Sequence, residues 1–598
     1  MNNTTRTAAG SASEPVDFET DERRVLVIGA GAAGARTAIK LVEQGVDPED
    51  LLVIGKRGHG DAHTTWARGG INGALGTRDP DDDWTIHAAD TLNEGHHIND
   101  PGKVETVTRK MPALLRELDE WGVDFSRTED GEIDQRYFGA QSFRRTAFAG
   151  DYTGESILET LVERAQELSI PYRENVYISR LITGDGRVLG AVGTDLDTDE
   201  YVVFDADVVV LAAGGYTSLF GRHSSRDDEN TADGPALAYQ AGAELMDMEF
   251  VQFHPTGMVG DRYGESWDGR LVTEAVRGEG GRLYNSEGER FMRQYSPDQM
   301  ELDARDVVAR AIAEEIAEGR GTDNGGVYLD ISHRERAFIE ERLPRMTERF
   351  DELGVDLAQE PVEVAPTAHY GMGGVRVDGN AETSVDGLYA VGETMAGVHG
   401  ANRLGGNSLA ETVAYGTVAG SAIADRLSER ERGEGTSDVL DTRARNHIRD
   451  LEALTDSDGE YDPEALFDEL RGILWERAGI LRDGDGIEDG LKRLVRLRSE
   501  ATDVAVDDSR SYEFALNLGF GLIAAEAILA GARERTESRG AHHRTDYPES
   551  SPEWQRNIVL RRDSVGGMEL STEPVDRPSE AVQAALDADH ELDYHQLE

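Results

Sequence analysis

The 598-residue chain has no cysteine at all. This excludes disulfides, thiolate zinc sites, redox dithiols and thiolate-held iron–sulfur clusters within it, so any such centre must sit on a partner. Lysine is almost as scarce, confined to Lys40, Lys56, Lys103, Lys110 and Lys492. With 61 basic against 117 acidic side chains the formal net charge is −56, and a chain so poor in cationic surface has no footprint for nucleic acid. Long apolar runs are missing too. None approaches the roughly 20 residues that cross a bilayer, and the opening stretch, MNNTTRTAAGSASEPVDFETDE, has no apolar segment of the secretory kind. The expected location is the cytoplasm or the inner face of a membrane.

What the chain does have begins at Val25, where the apolar run to Ile28 enters Gly29-Ala30-Gly31-Ala32-Ala33-Gly34 and Ala35 to Val42 follow with helical spacing. A strand entering GxGxxG at the mouth of a helix turns backbone N–H groups and the positive helix end toward a pyrophosphate. Gly29, Gly31, Ala32, Ala33 and Gly34 are the expected cradle, with glycines kept for packing as the bland alternative. The second strand, Leu51 to Ile54, ends on Gly55-Lys56 where a ribose-holding acid is usual. That speaks against a free nicotinamide nucleotide and leaves the ribose contact unassigned. Ala206 to Gly215 reads as a third buried strand, and Gly387 to Glu393 as a further one that closes the nucleotide domain after an insertion.

A set of polar residues lies in glycine-rich stretches between and beyond these strands: His254 in FVQFHPTG, Thr273 and Glu274 in LVTEAVRGEGG, Arg305 in DARDVVAR, His369 in PTAHYGMGG and Arg403 in HGANRLGGNS. Two histidines and two arginines suit a small dianion, because imidazolium and the guanidinium fork make charge-assisted hydrogen bonds to carboxylates. Each has a bland reading as well. His254 could satisfy a loop before Pro255, Arg305-Asp306 could be a helix-start ion pair worth under about 1 kcal/mol if exposed, Glu393 could be a surface acid, and Asp233 a helix cap.

The segment Ala62-His63-Thr64-Thr65-Trp66-Ala67-Arg68-Gly69-Gly70-Ile71-Asn72 resembles the flavin-attachment segment of the succinate dehydrogenase and fumarate reductase flavoproteins. The likeness continues through Tyr137 to Ser142, Gly150 to Gly154, the five polar stretches above and Glu537 to His542, and so covers about residues 23 to 565. It implies an α/β chain: a Rossmann-like FAD-binding domain (23–253 and 367–428) with an inserted α+β capping domain (254–366), then a helical domain (437–545) and a small C-terminal domain (546–598). Residues 1–22 are expected to be a disordered acidic leader.

The same resemblance implies FAD bonded covalently through His63 and contacted by Lys56, Thr64, Gly69, Gly70, Asp233, Glu393, Arg403, Ser408 and Leu409. By similarity His254, His369 and Arg403 hold the carboxylates of succinate or fumarate, and Thr273 adds a hydroxyl. Hydride passes to flavin N5 while Arg305 exchanges a proton, with Glu274 and Arg277 as its relay. No residue is expected to bind metal. Arginine is an odd base, since its free pKa exceeds 12. The implied partners are membrane anchors leading to quinone and, between them and this chain, an iron–sulfur subunit. The chain would be peripheral on the cytoplasmic face, in the tricarboxylic acid cycle and respiratory electron transport.

Competing readings are fumarate reductase working in the reverse direction, L-aspartate oxidase with noncovalent FAD, the more distant adenylylsulfate reductase, and a noncatalytic FAD-binding scaffold. Arg68 stands where relatives carry an amide or an acid, and the stretch Gly260 to Asp268 is longer than the family's loop. The acidic, lysine-poor composition also resembles proteins kept in molar salt, where screening relieves self-repulsion, so a halophilic protein is expected.

Overall fold

Val25, Leu26, Val27 and Ile28 are all buried, as the strand of a parallel sheet covered on both faces must be. In the computed structural model, which describes residues 18–429, 437–455, 457, 459–564, 566–588 and 590, they end the strand β1 (Glu19–Ile28). The expectation of a disordered leader therefore fails for Glu19 to Glu22. Glu19 to Glu22 are already strand, paired in parallel with Val202 to Asp205, and residues 1–17 lie outside the described residues. After Gly29 the chain turns into α1 (Ala32–Glu43) and returns through β2 (Leu51–Ile54), which pairs in parallel with β1.

The antiparallel pair β3 (Val176–Gly184) and β4 (Arg187–Asp195) leads into β5 (Tyr201–Leu211). The first half of β5 pairs with β4, and its second half pairs in parallel with β9 (Leu388–Ala390). Strands β1, β2, β5 and β9 thus run the same way and deliver Gly29, Gly55, Ala212 and Val391 to one edge of the sheet. A crevice at the carboxyl ends of such strands is where an open α/β sheet binds its ligand.

Between β5 and β9 the chain forms α2 (Asp233–Ala241) and then leaves the sheet along β6 (Val251–Met258). The insertion has its own apolar core, which runs from Met258 to Val364 and includes Leu283, Val308, Ile312, Leu329, Met346 and Phe350. It contains α3 (Arg305–Ala317), β7 (Val327–Asp330) and α4 (Pro344–Glu352), and it returns along β8 (Val362–Gly371), antiparallel to β6. The stretch Gly260 to Asp268 folds into two short helical turns, closed by the Asp268 carboxylate accepting from the Gly260 N–H at 2.7 Å.

After β9 the long helix α5 (Asn407–Glu429) packs against α1. The next helix, α6 (Ser437–Thr455), departs from expectation. Leu440, Ala444 and Ile448 cluster with Ile182, Leu189, Val192 and Val203, so α6 covers the back of β3 and β4 instead of joining the helices that follow it. Those helices, α7 (Pro463–Arg477), α8 (Gly484–Glu500) and α9 (Ser509–Glu534), pack on one another. Although no unbroken apolar run was expected, α9 is by length and composition apolar enough to cross a membrane. Seventy-two per cent of that stretch is buried, and a helix apolar on all sides is what the centre of a bundle requires.

The C-terminal hairpin β10 (Arg556–Arg562) and β11 (Met568–Pro574) extends a sheet that also contains Leu245–Met246 and Gly374–Val375. The last helix, α10 (Glu580–Ala588), sets Val582 against Ala88, Leu92 and Val104. The C-terminal region is thereby fastened to the nucleotide-binding part on two sides.

Candidate functional site

One continuous cavity begins at the β1 turn and ends between the sheet edge and the insertion. At its first end lie Gly29, Gly31, Ala32 and Ala33, with the Ala32 N–H donating to Thr64 Oγ1 at 3.1 Å. Gly29 has φ +107°, and a side chain there would collide with the Ala212 carbonyl, 2.1 Å from the Cβ position. Gly34 has a different role from the one expected. It does not line the cavity, and a Cβ on it would stand 1.9 Å from Gly29 O, so its lack of a side chain lets α1 close on the strand turn.

An acid from elsewhere in the chain stands beside the end of β2. Lys56 Nζ donates to Asp233 Oδ2 at 3.1 Å and lies over the Tyr177 ring at 4.7 Å. Asp233 is the first residue of α2 but not its cap, since the cap position belongs to Ala232. Glu393 is set by the turn after β9, where it accepts from the Gly371 N–H at 3.0 Å. Burial pushes its carboxyl up to about 7. Ser408 and Leu409, at the start of α5, complete this wall together with Gly69 and Gly70.

His63 opens the helical turn His63–Trp66 and faces the cavity. Its Nδ1 is 3.5 Å from Glu229 Oε2. Burial alone would lower its pKa, but the Glu229 carboxylate outweighs burial and raises it. Glu229 had no signal in the sequence, lying beside two other acidic residues in HSSRDDEN.

At the far end, His254 on β6 and His369 on β8 meet edge to face with ring centroids 5.4 Å apart. The environment of both disfavours the imidazolium form that the sequence suggested. Burial lowers both well below the ordinary histidine value, and the neighbouring guanidiniums of Arg305 and Arg403 lower them further. His254 Nδ1 accepts from the Thr256 N–H at 3.2 Å, which leaves Nε2 to carry the proton of the neutral ring. His369 Nδ1 shares a hydrogen bond with Ser224 Oγ at 2.8 Å.

Arg305, the first residue of α3, does not pair with Asp306. Its Nε and Nη2 both donate to Glu274 Oε2, at 2.8 and 2.6 Å, and its Nη1 donates to Gln252 Oε1 at 2.9 Å. Glu274 also accepts from the Gly139 N–H at 2.8 Å. Burial would raise this carboxyl, but Arg305 and Arg277 hold it down to about 2. Thr273 lines the cavity just before it. Arg277 stands behind the wall, with Nη2 3.9 Å from Glu274 and Nη1 donating to the Glu301 carbonyl at 2.5 Å.

Arg403 is 2% exposed, its Nε has no partner, and its guanidinium lies 4.4 Å from the Tyr370 ring centroid. Burial, then Arg305, lowers it to about 9. A buried cation with no carboxylate among the described residues is costly unless an anion joins it. The cavity therefore fits an anionic ligand at this end, and its glycine turn and strand ends fit a dinucleotide at the other.

Sequence reasoning missed the amides that hold these groups. Gln252 sits two residues before His254 on the same face of β6, and it donates to Asn402 Oδ1 and Arg403 O, both at 2.8 Å. Asn402 in turn donates to Glu94 at 2.7 Å and Asp306 at 2.8 Å. The period-two spacing from Gln252 to His254 was the available signal. Other quoted segments act as buttresses. Gln141 donates to Gly405 O at 3.1 Å, Asp151 accepts from the Arg345 and Met346 N–H groups at 3.1 and 2.9 Å, and the Ala541 N–H donates to Ala401 O at 3.0 Å.

Comparison with known proteins agrees with this geometry. Residues 24–409 match the FAD binding domain family, and residues 467–585 match the fumarate reductase flavoprotein C-terminal family. One component of the fumarate reductase (CoM/CoB) of Methanothermobacter marburgensis is 44% identical over 551 residues, covering 92% of this chain and 98% of its own. The succinate dehydrogenase flavoprotein subunit of Rickettsia bellii is 35% identical over 579 residues, 92% of this chain and 95% of its own. The solved structure of Mycobacterium smegmatis Sdh1 in complex with UQ1 superposes with a TM-score of 0.83 at 38% identity, over 94% of this chain and 96% of the other.

Proposed function

The chain belongs to the succinate dehydrogenase and fumarate reductase flavoprotein family, and from that premise we propose that it oxidises succinate to fumarate as the catalytic subunit of a larger assembly. The observation that carries this reading is Arg403, a buried and unpaired cation, facing the Arg305–Glu274 pair across the cavity that the glycine turn opens. When bound, FAD supplies the two-electron acceptor for hydride.

The chain's own residues do the rest. Arg403, the Nε2 donor of His254 and the His369 ring clamp the two carboxylates, with the Thr273 hydroxyl beside them, and so fix which carbon gives up hydride. As Arg305 takes the proton from the neighbouring carbon, one of its own N–H protons passes to Glu274, which already accepts from two of its nitrogens, so the guanidinium stays protonated throughout. Arg277 stabilises the charge on Glu274 from behind. His63 is the covalent anchor of FAD, positioned by Glu229. Lys56, Asp233 and Glu393 supply polar contacts along the cofactor.

Electrons then leave to an iron–sulfur subunit, because this chain has no thiolate to hold a cluster. Membrane anchors beyond that subunit carry them to quinone and keep this chain peripheral on the cytoplasmic face. A second reading, fumarate reduction, is favoured by the 44% identity to a fumarate reductase component. The test is to purify the assembly from its host, measure succinate oxidation with an artificial acceptor and fumarate reduction with a reduced dye, and offer L-aspartate in parallel. Faster succinate oxidation supports the first reading, a dominant reductase the second, and turnover of aspartate alone defeats both.

A further inference from the structure

Although acidic side chains outnumber basic ones by 117 to 61, three arginines without an ion pair among the described residues collect at one seam. Arg68 follows the His63–Trp66 turn of the nucleotide-binding part and lines the cavity with Trp66. Arg270 and Arg349 come from the inserted part, Arg270 just before Thr273 and Arg349 on α4. Arg270 Cζ lies 4.7 Å and Arg68 Cζ 5.9 Å from the Trp66 ring centroid, while Arg349 Cζ lies 5.5 Å from the centroid of Trp267.

None of the three makes an ion pair among the described residues, and Arg270 Nη1 is buried without a hydrogen-bond partner. Most of the nearby charges are engaged elsewhere, Glu155 with Arg345 and Asp227 with Arg471, while the exposed Glu352 on α4 is the acid left beside Arg349. Asp151 is taken up by the backbone N–H groups at the start of α4, and Arg226 is paired with Asp61 and Glu229. Burial, then the charges of Arg68 and Arg270, bring Arg349 down to about 10. Like charges gathered at the junction of two bodies, each resting on an indole face, leave their outward donors to a ligand.

We propose that Arg68, Arg270 and Arg349 form a docking site for a dicarboxylate at the mouth of the cavity, separate from the inner clamp of Arg403, His254 and His369. The choice of a dicarboxylate rests on the proposed function. A small dianion approaching this body meets strong repulsion, and a local cationic rim reverses the sign of the field where it matters. A ligand held there bridges the nucleotide-binding part, through Arg68, to the insertion, through Arg270 and Arg349.

The probe is malonate, titrated calorimetrically into the FAD-loaded protein at the lowest KCl concentration that keeps it folded, alongside Arg270→Gln/Arg349→Gln. Wild type should bind two malonates per chain and the double variant one, with KM for succinate raised about tenfold in the variant and kcat unchanged. Arg403→Gln should do the converse, losing the inner malonate and keeping the outer one. One malonate bound by wild type and double variant alike, with equal KM, overturns the rim site and leaves the inner site standing. A second wild-type malonate displaced by equimolar chloride marks a diffuse ion atmosphere and overturns it too. If malonate binds to none of the proteins, the dicarboxylate reading fails and the rim site falls with it.

Discussion

Arg305 and Glu274 are joined by two hydrogen bonds to one carboxylate oxygen, at 2.8 and 2.6 Å, although 31 residues separate them. Arg305 begins α3 and Glu274 precedes a short helical turn, so this ion pair is anchored at two helix starts within the inserted part.

Replacing Arg305 by Ala should lower turnover by about 10²- to 10⁴-fold while malonate still binds, because the proton exchange is lost and the clamp remains. Arg403→Ala should weaken malonate binding strongly. Glu274→Gln keeps the volume and removes the carboxylate, and its turnover should fall with Arg305→Ala. Steady-state kinetics with a binding titration check all three, after a melting curve shows each variant folded. Equal turnover losses with intact malonate affinity in Arg305→Ala and Arg403→Ala would falsify this division of roles.

His63 should carry the flavin. Acid-precipitated protein from its own host should retain yellow fluorescence, and digestion should release a flavinylated peptide containing His63. His63→Ser should bind FAD noncovalently and lose succinate oxidation more than fumarate reduction. Flavin that washes completely from mature wild-type protein would exclude the linkage.

Binding of a dianion should take up protons. Burial and neighbouring guanidiniums lower His254 and His369 in the free protein, and two carboxylates placed beside them favour the charged form. Between the lowered free values and the higher bound ones the complex holds more protons, so malonate affinity should fall as pH rises through that window. Calorimetry in buffers of different ionisation enthalpy measures the uptake. An affinity that is flat with pH and shows no buffer dependence would leave both rings neutral in the complex.

Salt should stabilise the chain. With 117 acidic against 61 basic side chains, self-repulsion is strong where the Debye length is roughly 30 Å and nearly gone where it is about 3 Å. The melting temperature should therefore climb between about 0.1 and 3 M KCl. A flat or falling temperature would remove the halophilic reading and leave the family assignment untouched.

The strand entering GxGxxG, the buried run ending at Leu211 and the closing strand before Glu393 were legible because each is a short apolar run that ends in glycine. The extent of β1 was not. Glu19 to Glu22 are polar, and only pairing with Val202 to Asp205 makes them strand. The packing of α6 was hidden for a similar reason. Leu440, Ala444 and Ile448 give an apolar stripe that fits a neighbouring helix as well as a sheet, and the stripe does not say which surface it covers.

The sequence by itself determined the inventory of chemistry: the nucleotide turn, the histidines and arginines for a dianion, and the absence of any thiolate for a cluster. These rest on residue type and short spacing, which a linear chain displays. Tertiary structure decided the pairings and the charge states. Lys56 meets Asp233 across 177 residues, Gly34 turns out to serve packing, and burial, helped by Arg305 and Arg403, lowers the pKa of His254 and His369. Desolvation and like-charge repulsion act through space, so they arise only when the fold brings distant segments together.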